Sequence, residues 1–153
     1  MEAMAGHKAC EDTLERTLSD TLRIDLGSAQ IDLSAAIKAA RHFLSARRVS
    51  DRATFSALLV FEELVTNTLR YAHPENSPRI VVATLCARED SLRILIEDDG
   101  VAFDPSRATA PNRVSGHTRI GGLGLELVRN MAESLDYERA EGRNRVTAKI
   151  AFA

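Results

Sequence analysis

The sequence predicts an α+β fold of the broad α/β class, with two layers in which a mostly antiparallel sheet is covered by helices on one face. Three observations carry that expectation. A chain of 153 residues can build one complete core, because folded-surface scaling leaves about 7,600 Å² exposed against about 24,000 Å² for the unfolded chain. Patterning along the chain runs β-α-α-β-β-loop-α-β-β, with strand-like runs paired across short polar turns, as antiparallel hairpins require. The composition, 44% apolar and 27% charged, is that of an ordinary globular domain rather than a fibrous or disordered chain.

The elements follow in order. Residues 1 to about 20 are polar and weakly patterned, and read as an N-terminal arm ahead of a domain spanning 21–153. Leu22 to Leu26 alternates apolar and polar side chains, the period of a half-buried strand, and Gly27-Ser28 ends it. Leu33, Ile37, Ala40, Phe43 and Leu44 recur at helical spacing, predicting a helix from Asp32 or Ser34 to about Arg48. A second helix begins after Ser50 or Asp51, either of which can cap it, and runs to about Ala72 before Pro74. Ile80 to Cys86 and Ser91 to Glu97 form a hairpin about Ala87-Arg-Glu-Asp90. From Pro105 to Gly121 the chain carries Pro, Ser, Asn, Gly and Thr with hardly a periodic apolar position; loops of that length inside a compact domain are usually functional lids. A third helix is expected from about Gly122 to Leu135, burying Leu125, Val128 and Met131 or Ala132. Strands at Tyr137 to Arg139 and Val146 to Phe152, about the turn Glu141 to Asn144, complete the order.

Charge and targeting signals exclude several classes. Lys plus Arg number 20 and Asp plus Glu 22, a net charge of −2, so there is no basic footprint for nucleic acid and no polybasic membrane patch. The first residues contain no apolar secretory segment, and the longest apolar run, Ile80 to Ala87, is far below the roughly 18 residues that span a bilayer. A cytoplasmic protein is expected, with Cys10 and Cys86 as plain thiols and with no His pair at metal-ligating i, i+4 spacing.

Three short motifs stand out. On the second helix, Leu58, Phe61, Val65, Leu69 and Ala72 form one stripe while Glu63, Asn67 and Arg70 share the opposite arc. An apolar strand then ends in Glu97-Asp-Asp-Gly100, where Asp98 can accept from an exocyclic amine such as adenine N6 and Gly100 lets a flat base approach. Finally Gly121-Gly-Leu-Gly124 runs straight into a helix, whose free N–H groups and positive dipole end suit a phosphate. No Gly-Lys-Ser/Thr follows, so this is not a Walker A loop, and no parallel βαβ unit precedes it as a Rossmann loop needs. Taken singly, the three are also what a solvated helix face, an Asp-Gly turn and a structural helix start look like.

In this order, Glu63-x-x-x-Asn67, Asp98-x-Gly100 and Gly122-x-Gly124 resemble the N, G1 and G2 boxes of the Bergerat-fold (GHKL) ATP-binding family, across roughly residues 20 to 153. Within that family they look most like the bacterial anti-sigma-factor serine/threonine-protein kinases. The resemblance implies a Bergerat sandwich that binds ATP and Mg²⁺. Asn67 would ligate Mg²⁺ and Glu63 would orient or deprotonate the attacking hydroxyl. Asp98 and Gly100 would receive adenine, with Ala102 standing where the usual Asp-x-Gly-x-Gly pattern has its second glycine. Gly122, Leu123, Gly124 and Leu125 would cradle the phosphates under a lid at about 105–121, with Arg119 and His117 as γ-phosphate sensors, and Arg70 borders the nucleotide. A Thr commonly supports the adenine-binding Asp in this family; Asn144-Arg145 occupy that neighbourhood, with Thr147 as a substitute nearby. The implied partners are a small anti-sigma-factor antagonist of the STAS type, as substrate, and a sigma factor, with homodimerisation also implied. Some twenty residues ahead of the match are too few for a phospho-acceptor helix, so the substrate is expected in trans. A non-catalytic ATP-binding module that holds a sigma factor or antagonist is the other reading, and Glu63 discriminates, since a pure binder needs no carboxylate beside its metal ligand.

Overall fold

A computed structural model describes residues 20–27, 32–72, 80–107 and 121–153. Five strands, β1 (Thr21–Asp25), β2 (Val81–Ala87), β3 (Ser91–Asp98), β4 (Ser134–Ala140) and β5 (Arg143–Ala151), form one sheet in the order β1-β2-β3-β5-β4. Every neighbouring pair is antiparallel. Alternation in β3 decides which face is covered. Leu92, Ile94 and Ile96 are wholly buried, and the register sets Ile94 between Leu85 and Ala148, and Ile96 between Ala83 and Val146. Burying each such side chain contributes about 2 kcal/mol, and a one-residue slip would turn them all outward.

Among the described residues three α-helices, α1 (Leu33–Ser45), α2 (Asp51–Asn67) and α3 (Gly121–Met131), complete the two-layer α+β fold that the pattern predicts. Of the two starts open for each of the first two helices, the caps are Asp32, whose Oδ1 accepts from Ala35 N at 3.0 Å, and Ser50, whose Oγ accepts from Ala53 N at 3.2 Å. Helix α2 buries Val60 and Leu64 in addition to the expected Leu58, Phe61 and Val65, because it packs on β3 and β5 while α1 and α3 flank it. The helical path continues to Ala72 as expected, but its last turn, Thr68–Ala72, is a π turn. Such widened turns cluster at functional sites.

The third helix is shorter than its spacing suggests. It ends at Met131, the last helical bond being Ala132 N to Val128 O at 2.9 Å; Glu133 N then donates to Lys149 O at 2.8 Å and draws the chain into the sheet. Leu135 therefore pairs with Ala148 in β4 instead of closing a helical stripe, and the alternation Leu135, Tyr137 outweighs helical propensity there. The final turn is also tighter than four residues. Glu141 (φ +53°) and Gly142 (φ +74°) alone connect Ala140 to Arg143, a two-residue hairpin loop of the kind whose twist matches its strands. Asn144 is thereby in β5. The N-terminal arm up to residue 19, Cys10, His7, His73, Pro74 and the lid from 108 to 120, with His117 and Arg119, lie outside the described residues.

At the exit of β3, a glycine is required by packing. Val101 N donates to Ala72 O at 2.8 Å, and a Cβ on Gly100 would stand 2.1 Å from Ala72 O and 2.6 Å from its carbonyl carbon. Backbone cannot yield as a flexible side chain does. Gly100→Ala is expected to cost about 2 kcal/mol or more of stability, read as a lower denaturation midpoint; an unchanged midpoint would mean that this junction moves apart freely.

Candidate nucleotide site

Helix α2 is the common wall of the three motifs. Its middle meets the glycine run, since a Cβ on Gly124 would fall 1.9 Å from Glu63 Oε2 and 2.7 Å from Glu63 Cδ. Its end meets the Asp98-x-Gly100 segment through Ala72. Residues 61 apart in sequence, Glu63 and Gly124, are thus in contact because α3 crosses α2 with only a hydrogen atom at that position.

The carboxylate and the amide are arranged for different tasks. Glu63 is half-buried, and burial first, then the charge of Glu62, hold its carboxyl above the ordinary carboxylate range against the opposing pull of Arg70. Asn67, on the arc opposite the core stripe, is only 3% exposed, and its Nδ2 donates to Glu63 O at 2.7 Å. With that nitrogen committed to the helix, Oδ1 is the atom left to ligate. A side-chain carbonyl oxygen suits Mg²⁺, which prefers hard oxygen donors and takes only one or two from the protein when phosphates supply others. The donor chemistry therefore fits the ion that the resemblance implies. Among the described residues no cluster of three His, Cys, Asp or Glu could hold a metal on its own.

Because α3 begins at Gly121, the N–H groups of Gly121, Gly122 and Leu123 have no acceptor four residues back within the helix. Leu125 and Val128 are buried, which seats this end of the helix with Gly124 beside Glu63. Arg129 Nη2 from the same helix donates to Pro105 O at 3.0 Å and ties down the root of the expected lid. Tyr71 and Phe103 stack with ring centroids 5.1 Å apart, joining the π turn to that root.

Asp98 is 2% exposed and closes the core-facing row of β3. Its Oδ1 accepts from Gly100 N at 2.9 Å and from Asn144 Nδ2 at 3.0 Å. Asn144 is thus the residue that supports Asp98. Thr147, the candidate weighed for that task, pairs with Leu95 and Asp136 on the opposite face of the sheet, an odd number of residues away and so outside reach. Ala102 is exposed and outside the left-handed region, so an alanine there imposes no backbone strain. Arg70 is exposed at the end of α2, near enough to Glu63 to act on its charge.

Sequence reasoning missed Tyr137, Arg139 and Arg129 as parts of this region, and weighed Asn144 only by position. A usable signal existed for Asn144. It continues the core-facing period of Val146, Ala148 and Ile150, where a polar side chain demands a partner.

Comparison with known proteins agrees with the geometry. A family profile described as the histidine kinase-like ATPase domain matches residues 27–150. The serine/threonine-protein kinase BtrW of Bordetella bronchiseptica is 29% identical over 138 residues, covering 89% of this chain and 90% of that one. Among solved structures, the SiaB-SiaC complex from Pseudomonas aeruginosa has a similar chain at a TM-score of 0.58 and 14% identity, covering 99% of this chain and 98% of that chain. The histidine kinase domain of the blue-light activated histidine kinase from Erythrobacter litoralis EL346 is similar at a TM-score of 0.52 and 19% identity, and this chain spans 66% of its length. At those identities the solved structures speak for the fold alone.

Proposed function

The chain belongs to the histidine kinase-like ATPase domain family, and from that premise we propose that it is an ATP-dependent serine/threonine-protein kinase that acts as an anti-sigma factor in a partner-switching system. The contact between Glu63 and Gly124 carries this reading: it sets a carboxylate beside the helix start suited to phosphate, one turn from a metal-ligating amide. Likeness to BtrW, a serine/threonine-protein kinase by name, supports the reaction class.

In the proposed reaction the hydroxyl oxygen of a serine or threonine on a second protein attacks the γ-phosphorus of ATP. The bond from that phosphorus to the β-γ bridging oxygen breaks, ADP leaves, and Glu63 takes the hydroxyl proton. Asn67 Oδ1 would hold Mg²⁺, which neutralises charge on the phosphates. Amide N–H groups of Gly122 and Leu123 donate to the phosphate oxygens, with Gly124 and Leu125 bordering them inside the first turn of the helix, and Asp98 accepts from the adenine amine. Phosphoryl transfer asks a protein for this positioning and charge stabilisation and for little covalent chemistry.

The substrate in this reading is a small antagonist protein of the STAS type, and the second partner a sigma factor that competes with the unphosphorylated antagonist. The SiaB-SiaC structure, a complex of two proteins containing a chain of this fold, is compatible with capture of a protein partner. No helix among the described residues is long and apolar enough to cross a membrane; a cytoplasmic location is part of the proposal. Incubation with radiolabelled Mg-ATP and candidate antagonists is expected to label one of them on a hydroxyl side chain. Nucleotide binding without transfer to any antagonist would instead support a non-catalytic module in which ATP acts as a conformational ligand.

A further inference from the structure

Asn144 is 1% exposed and stands directly across the ladder from Asp98. Its carboxamide makes four hydrogen bonds. Nδ2 donates to Asp98 Oδ1 at 3.0 Å and to Val101 O at 2.8 Å, while Oδ1 accepts from Tyr137 OH at 2.6 Å and from Arg139 Nη1 at 2.8 Å. This orientation is forced. A guanidinium only donates, so the amide atom facing Arg139 is oxygen, and the nitrogen turns to two acceptors. A hydroxyl in the same place has a single proton and serves one of those acceptors, not both.

The consequence reaches the whole segment that ends β3. Arg139 Nη1 also donates to Gly100 O at 3.0 Å, and Asp98 Oδ1 receives Gly100 N at 2.9 Å. Val101 is held at N by Ala72 O and at O by Asn144. Asp99 Oδ1 accepts from Ile80 N at 2.8 Å. Residues from 98 to 101 are therefore each fixed to a neighbouring element, and the Asp98 carboxylate cannot turn without breaking a buried bond. Removing one partner of such a network leaves the other polar groups unsatisfied.

We infer that Asn144, itself oriented by Tyr137 and Arg139, is a positioning residue that holds the Asp98 carboxylate for the exocyclic amine of a purine and so sets selectivity for 6-amino purine nucleotides. This rests on Asp98 as the adenine acceptor proposed above. The two nucleotides to compare are ATP and purine riboside triphosphate, which lacks the 6-amino group. Calorimetry on the full chain is expected to give ATP the tighter binding by about tenfold or more, the worth of a hydrogen bond to a charged group.

Asn144→Ala should shrink that ratio about fivefold or more by weakening ATP while leaving purine riboside triphosphate within about twofold. Tyr137→Phe keeps the ring in the core and deletes only the donated proton; it should move the ratio the same way by about two- to threefold, and it carries the test if Asn144→Ala does not fold. Equal weakening of both nucleotides would assign Asn144 a merely structural role and overturn the inference, as would an unchanged ratio. A wild-type protein that binds both alike would remove Asp98 as the amine acceptor and the inference with it. Failure to transfer phosphate, by contrast, bears on the kinase reading alone, because both binding constants remain measurable.

Discussion

Glu63→Ala is expected to lower phosphoryl transfer by about 10²-fold or more while leaving ATP affinity within a few-fold, the range that a positioned general base contributes. The separation of effects follows from where Glu63 sits. Its carboxylate lies against Gly124, at the start of α3, and in the proposed site the phosphates are held by backbone N–H groups and the metal by Asn67 rather than by Glu63. Deleting it should remove a group needed only when the hydroxyl attacks. Single-turnover transfer measured beside calorimetric binding checks this. An equal loss in both would make Glu63 a binding residue, and full transfer would remove it from the reaction.

The same residue predicts a pH profile. Burial and the charge of Glu62 raise its carboxyl, and a base works only when ionised, so transfer should rise with pH through a midpoint above the ordinary carboxylate range. Stability must run the other way. A carboxyl raised in the folded state stabilises the fold fully below its unfolded pKa, and that contribution is lost as pH rises through the folded one. Glu63→Gln, which cannot ionise, should therefore be inactive and yet at least as resistant to denaturation as the wild type near neutral pH. The wild-type profile must be lost in any residual transfer by the variant. An unmoved midpoint would assign the profile to another group.

How much of this was legible in the sequence depends on the range of the interaction. Caps at Asp32 and Ser50, the β2–β3 hairpin and the core stripe of α2 are local patterns with periods of 2 or 3.6, and they were readable. The three motifs were visible as strings, but their convergence on α2 depends on contacts at Gly100 and Gly124 that no local pattern encodes. The end of α3 was misread because Leu135 satisfies both periods, and pairing with Ala148 decided between them. For Asn67, helical spacing gives only an arc opposite the core stripe; that the arc is covered there is set by tertiary packing. Asn144 was hidden for a related reason. Its partner lies 46 residues away, and only the ladder brings Asp98 opposite it.

Asn67→Ala is expected to weaken Mg²⁺-dependent ATP binding by about 100-fold or more, with far less effect on binding in the presence of a chelator, because a lost ligand matters only where the ion bridges protein and phosphate. Two consequences of the substitution must be separated. Asn67 is buried and bonded to Glu63 O, so its loss also costs stability, about 1 kcal/mol for a hydrogen bond of this kind. A general loosening of α2 would weaken nucleotide equally with and without the ion. Loss of ligation appears as collapse of the difference between the two conditions. Asn67→Asp sharpens the point, since it keeps an oxygen donor and forfeits the amide bond to Glu63 O: ligation predicts retained ion dependence despite lower thermal stability, whereas an anchoring role predicts that both fall together. Calorimetric titrations of the three proteins with ATP, with and without Mg²⁺, decide between them. An Asn67→Ala protein with the wild-type response to Mg²⁺ would exclude this amide from the metal site and leave Glu63 without the neighbour on which its proposed chemistry depends.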